Sequence, residues 1–133
     1  MQYPIDLKYA KTHEWVRVKG DKAIVGITDF AQHELSDVVY VELPGIGEDV
    51  KAGGQCAVVE SVKSASDIYS PVSGRITRIN ESVNDEPDIV NKDPYGSGWL
   101  FEVEMSDTDE LKSLIASEEY KKQVAAGLTF TLV

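Results

Sequence analysis

The feature that most constrains this chain is a hydropathy period of two, interrupted often. Val16 and Val18 alternate with polar neighbours, and Ile24 to Ile27 follow after Lys19-Gly20-Asp21-Lys22, which reads as two strands joined by a turn. Val39, Val41 and Leu43 alternate with Tyr40 and Glu42, as a strand with one buried face does, and Pro44-Gly45-Ile46-Gly47 stops it. Gly53-Gly54 precedes a strand at Cys56 to Glu60. Further short strands fall at Ser66 to Ser70, ended by Pro71, at Arg75 to Ile79 and at Leu100 to Val103. Short strands with turn signals at this spacing predict a mainly β sandwich or flattened barrel.

Two segments leave that period. Thr28 to Leu35 predicts a short helix, with Thr28 as N-cap and Asp29 favourable in the first turn. Asp107-x-x-Glu110 has the form of an acidic capping box before Leu111, Leu114 and Ile115, which share one helical face. Ser117 then caps a second short helix carrying Tyr120 and Val124, stopped by Gly127, so residues 107–127 form a C-terminal helical segment. Leu128 to Val133 alternates Thr with apolar residues and reads as an edge strand. There is also a faint internal duplication, in which 50–60 and 83–103 are strand–turn units meeting around residues 61 to 66.

At 133 residues the chain is expected to be one domain, 1–133, large enough to bury a core without disulfides. Asp and Glu number 23 against 13 Lys and Arg, a net charge of −10. That excludes non-specific nucleic-acid binding and attraction to an anionic membrane, both of which need basic residues. The one cysteine, Cys56, permits no intrachain disulfide and no multi-cysteine metal site, and its apolar neighbours predict an inert thiol. His13 and His33, the only histidines, are not at metal-ligand spacing. No run is long enough for a transmembrane helix, and Met1 to Asp6 has neither a basic nor an apolar leader region, so a cytoplasmic protein is expected.

The segment that carries chemistry is Val58 to Tyr69. With Lys63-Ser64 as a two-residue hairpin loop, Val62 faces Ala65, Ser61 faces Ser66, Glu60 faces Asp67 and Val59 faces Ile68. Such loops favour Asn, Asp or Gly, whereas here the apex is a lysine between small neighbours, which leaves its amine unobstructed. A plain solvated turn lysine fits the same residues. A Schiff-base nucleophile fits them poorly, because that chemistry needs a desolvated amine and the near neighbours, Glu60 and Asp67, are carboxylates.

Glu60-Ser61-Val62-Lys63-Ser64-Ala65-Ser66-Asp67, followed by Ser70-Pro71-Val72-Ser73-Gly74, resembles the modification hairpin of lipoyl carrier domains. Biotin carriers flank their lysine with methionines, where this chain has Val62 and Ser64. Three further stretches resemble the glycine cleavage system H protein family more narrowly: Thr12 to Val16; Val25 to Gln32 followed by Asp37 to Pro44; and Asn91 to Leu100. The four stretches are collinear, and the resemblance runs from about Leu7 to Tyr120.

The resemblance implies a lipoyl/biotinyl-carrier type fold and a non-catalytic shuttle with lipoate joined to Lys63 by an amide. It implies that the arm takes an aminomethyl group from a pyridoxal-phosphate-dependent glycine decarboxylase to a tetrahydrofolate-dependent aminomethyltransferase. An FAD-dependent dihydrolipoyl dehydrogenase would then reoxidise it. A lipoate ligase or lipoyl transferase would modify the lysine, with Glu60 and Gly74 as recognition residues. Thr12, Glu14 and Asp67 would line the cleft for the loaded arm. At the position before Leu35 where the family commonly has a histidine, this chain has Glu34, with His33 one residue earlier. A monomer is implied, in the cytoplasm or, for a processed eukaryotic form, the mitochondrial matrix. A lipoate-relay protein that hands lipoyl groups to other carriers is the alternative within the same resemblance.

Overall fold

The computed structural model describes residues 1–127 and contains two sheets. The expected first hairpin forms from β2, Glu14–Lys19, and β3, Lys22–Ile27, with Trp15 opposite Gly26. A glycine is needed there because the Trp15 ring lies across it, 2.6 Å from where a Cβ would stand. β1, Lys8–Tyr9, lies beside β2; β8, Gly74–Ile79, and β9, Phe101–Met105, extend the sheet beyond β3. Two-residue strands close its ends: β5, Asp49–Val50, against β8, and β10, Ile115–Ala116, against β1. The order is β10-β1-β2-β3-β9-β8-β5, an open sheet rather than a barrel. The second sheet is β4-β6-β7, from Val38–Glu42, Gln55–Ser61 and Ala65–Tyr69.

Val16, Val25, Val59, Ile68, Ile76, Val103 and their neighbours meet between the sheets as the main core. Leu7, Tyr9, Trp15, Ile115 and Tyr120 make a second cluster near the N-terminus. Helix α1, Asp29–Leu35, forms as expected: the Thr28 hydroxyl accepts from Ala31 N at 3.1 Å, and Phe30, Ala31 and Leu35 are buried.

Several expectations are corrected. In β4 the pairing with β6 slips between Val38 and Tyr40, so Val38 and Val41 face inward. Val39, expected inside, is 54% exposed. An extra residue at a bulge reverses the face of everything beyond it, and hydropathy does not register the insertion. The segment after Asp107 is a 3₁₀ turn, Thr108–Ser113, rather than an α-helix on one apolar face. Asp107 accepts from Asp109 N at 3.0 Å, while the Glu110 carboxylate bonds Ser73 instead of closing a capping box. Ile115 is drawn off the expected helical face into β10, where it pairs with Tyr9. The second helix, α4, Ser117–Ala125, has Ala116 at its cap; the Ser117 hydroxyl donates to Tyr3 O at 2.5 Å rather than capping.

The duplication has no structural counterpart, because residues 82–92 form two helical turns, α2, Ser82–Asp85, and α3, Ile89–Lys92. The strand expected at Leu128 to Val133 lies outside the described residues.

Candidate functional site: a lysine-tipped hairpin and an acid-floored pocket

β6 and β7 form the expected hairpin in a different register. Glu60 faces Ala65, Val59 faces Ser66, Val58 faces Asp67 and Ala57 faces Ile68, so the loop is residues 61–64 rather than two residues. A two-residue loop of the favoured types needs positive φ at its tip. Among the described residues only His13 and Ser36 adopt that without being glycine. The longer loop is built on Ser61 instead. Its Oγ accepts from Lys63 N at 3.1 Å and Ser64 N at 3.0 Å, and donates to Ser64 O at 3.0 Å. Val62 N donates to Asp37 O at 3.0 Å, which ties the tip to the turn before β4.

Lys63 is exposed at the apex. Its Nζ donates to Glu34 O at 3.2 Å, in the last turn of α1, where a cation meets the negative end of the helix. The carbonyl leaves the amine accessible from solvent. Glu60 is half-buried at the base of the loop, and Asp67 is exposed on the face of β7 that also carries Ala65 and Tyr69.

Further along β7 a cavity of about 460 Å³ is lined by residues from four segments, among them Thr12, Glu14, Gly53, Tyr69, Pro71 and Leu114. Glu14 is 1% exposed. Its Oε1 accepts from the Thr12 hydroxyl, and its Oε2 from Tyr69 N at 3.0 Å. Burial pushes the Glu14 carboxyl up to about 7, against the lowering effect of those hydrogen bonds. Burial, reinforced by the negative charges of Glu14 and Glu48, pushes the Cys56 thiol up to about 12, which leaves it unreactive.

A kinked turn aims Glu14 inward. His13 N donates to Ala10 O and Ala10 N to Glu14 O, with His13 at φ +79. The His13 ring is locked by Tyr120 OH, 2.6 Å from its Nδ1, and that hydroxyl lies 2.8 Å from Thr28 Oγ1. Glu14, Trp15 and Val16 are consequently all buried, and the strand loses its alternation where it delivers the carboxylate.

Thr12 and Glu14 are thus brought together, whereas Asp67 does not line the cavity and sits between it and the tip on the same face. Gly74 lies in β8, away from the loop, at φ +155, where a Cβ would collide with the Glu104 carbonyl oxygen. The close approach of the Glu104 backbone by itself requires a glycine there. His33 Nδ1 and Glu34 Oε2 lie 3.7 Å apart on the surface. The sequence reading missed Tyr69 N, Pro71, Ser113 and Leu114 as parts of the cavity, and only Pro71 carried a signal, as the end of a strand. Among the described residues no cluster of His, Cys, Asp and Glu could hold a metal, and no helix is long and apolar enough to cross a membrane.

Two packed sheets presenting one lysine at a hairpin apex define a carrier domain of the lipoyl sandwich class. The Glycine cleavage H-protein family model matches residues 7–127, and the chain belongs to that family. It is 53% identical over 119 residues to the glycine cleavage system H protein of Carboxydothermus hydrogenoformans, covering 90% of this chain and 92% of the relative. It is 55% identical over 124 residues to that of Endomicrobium trichonymphae, covering 93% and 100%. The crystal structure of the H protein from Mycobacterium marinum superposes with a TM-score of 0.85 at 40% identity, over 92% of this chain and 98% of that one.

Proposed function

We propose that this chain is the lipoyl carrier of a glycine cleavage system, with lipoate joined through its carboxyl to Lys63 Nζ. The observation that carries the reading is an exposed lysine on a four-residue loop, in line with the far end of β7, where Tyr69 N donates to the buried carboxylate of Glu14 on β2. When bound, lipoate supplies a dithiol that accepts and releases a one-carbon unit.

The chain's own residues hold, orient and shield. Ser61 sets the height of the lysine above the sheet. Glu14, oriented by Thr12 and Tyr69 N, places a negative charge where a cation-tipped arm would come to rest. From Ala65 at the foot of the loop to Tyr69 is four extended steps, about 14 Å, and a lipoyl-lysine arm of about a dozen bonds would reach roughly 15 Å. Laid back along β7, the arm would pass Asp67 toward the mouth of the cavity. Tethering keeps the cargo at high effective concentration for each partner in turn. Those partners are the pyridoxal-phosphate-dependent glycine decarboxylase, the tetrahydrofolate-dependent aminomethyltransferase and the FAD-dependent dihydrolipoyl dehydrogenase. A lipoate ligase or lipoyl transferase installs the arm, reading Lys63 with Glu60. The carrier itself acts as a non-catalytic monomer in the cytoplasm.

The test is intact mass after co-expression with a lipoate ligase and lipoate. One lipoyl increment is expected in the natural chain and none in Lys63→Arg. An increment that persists in Lys63→Arg, or is absent from the natural chain, overturns the reading.

A further inference from the structure

Ser73 and Glu110 lie outside the cavity that holds Thr12 and Glu14, yet they join the pieces of its wall. Four stretches of chain line the cavity, within 10–14, 52–53, 69–71 and 113–114. They close around it as a ring. The first and third are joined by Tyr69 N donating to Glu14. The second and third are joined by Gly53 N donating to Ser70 O at 2.8 Å and Ser70 N to Gly54 O at 2.9 Å. The fourth returns to the first through β10 and β1, where Ile115 pairs with Tyr9.

The seam between 69–71 and 113–114 runs through Ser73. Its N–H donates to one Glu110 carboxylate oxygen at 2.7 Å and its hydroxyl to the other at 2.8 Å. The same Ser73 Oγ accepts from Ala52 N at 2.9 Å. One serine therefore links three of the four wall segments. The 3₁₀ turn that carries Glu110 has no fully buried residue, and Leu111 and Leu114 are partly buried where they pack against the core. With no fully buried side chain in the turn, a carboxylate gripping two donors adds a directional hold on this side of the wall.

We propose that Ser73 and Glu110 are positioning residues for the arm: they clamp residues 110–114 to the turns at 52–53 and 71–73, and so hold Ser113 and Leu114 over the end of the cavity against water. The inference rests on the cavity being the seat of the loaded arm, as proposed above. Neither residue touches the arm; both act through the wall.

The experiment uses the full chain as Glu110→Ala, Glu110→Gln and Ser73→Ala. Amide hydrogen exchange of the unlipoylated protein is the first readout. Glu110→Ala should raise exchange across 111–114 about tenfold or more, the loss of roughly one net hydrogen bond to a charged group, while 55–69 keep their protection. Glu110→Gln, whose amide oxygen still accepts from Ser73 N, should recover part of it. The second readout is the lifetime of the loaded arm by intact mass, which should shorten in the same order, with lipoylation of Lys63 unchanged.

Thr12→Val and Glu14→Gln separate the cavity from its clamp. If they shorten that lifetime while Glu110→Ala does not, the clamp is overturned and the cavity reading stands. If exchange rises in Glu110→Ala but no variant alters the lifetime, the cavity reading falls and the clamp's role with it. Should Glu110→Ala not fold, Ser73→Ala, which keeps the N–H bond to Glu110, carries the same comparison.

Discussion

Replacing Glu14 by Gln should remove a pH dependence that one buried carboxyl imposes on the whole fold. Burial carries this carboxyl from 4.5 to about 7 in the native protein. Between those values the native state holds a proton that the unfolded chain has released, so stability falls as pH rises through the window. Below the window both states are protonated. Above it both are ionised, and the native state bears the full cost of a desolvated charge. That cost is about 3 kcal/mol, from 1.36 kcal/mol for each tenfold step between 4.5 and about 7.

The amide introduced by Glu14→Gln is neutral at every pH and keeps an oxygen for one of the two donors, the Thr12 hydroxyl or Tyr69 N. Urea unfolding at pH 5 and pH 8 gives the comparison. The stability of Glu14→Gln relative to the natural chain should improve by about 2–3 kcal/mol between the two. Cys56 and Tyr120 lie near Glu14, but burial pushes both well above pH 8, so in the native protein they do not titrate between the two measurements. Parallel pH profiles would refute a buried, proton-holding carboxyl. A cation seated beside Glu14 favours its ionised form, so loading the arm should lower the carboxyl's midpoint in a ¹³C NMR titration.

Other outcomes follow from the same geometry. Burial pushes His13 down from 6.5 to about 4, so the unfolded chain binds the extra proton between those values and stability is lost as pH falls through them. His13→Asn, which tolerates positive φ, should flatten that acid limb in urea titrations. Ser61→Ala removes the oxygen that accepts from Lys63 N and Ser64 N; it should cost about 1 kcal/mol and slow ligase-catalysed lipoylation, measured by intact mass against time. Gly74→Ala drives a Cβ into the Glu104 carbonyl and should lower stability by about 3 kcal/mol or more in urea unfolding. The folded fraction should still accept lipoate at Lys63. A stable but poorly modified Gly74→Ala would instead place this glycine in ligase recognition.

Local pattern was enough for the elements that local physics controls. Alternation located β2, β3, β6 and β8 to within a residue or two, and Thr28 with Asp29 marked α1, because a strand's faces and a helix's cap are decided by neighbours along the chain. Lys63 stood out for the same reason: residues 60–67 are one continuous hairpin that holds the lipoyl-type motif, while the stretches that narrow the resemblance to the H protein family lie elsewhere along the chain. The register of that hairpin was not local. It followed from the Ser61 hydroxyl and from backbone angles that Lys63 and Ser64 do not adopt.

What only the tertiary structure decided is how distant pieces meet. The bulge that turns Val39 outward is set by pairing with β6, and Ile115 leaves its expected helix because β1 offers a strand edge. The cavity is assembled from four stretches of chain, and Glu14 reaches Tyr69 across 55 residues while Ser73 reaches Glu110 across 37. Periodicity and caps record what a residue does with its near neighbours. A buried carboxylate, its raised proton affinity and the clamp on its wall arise from contacts between segments, so they exist only once both sheets have closed on a common core.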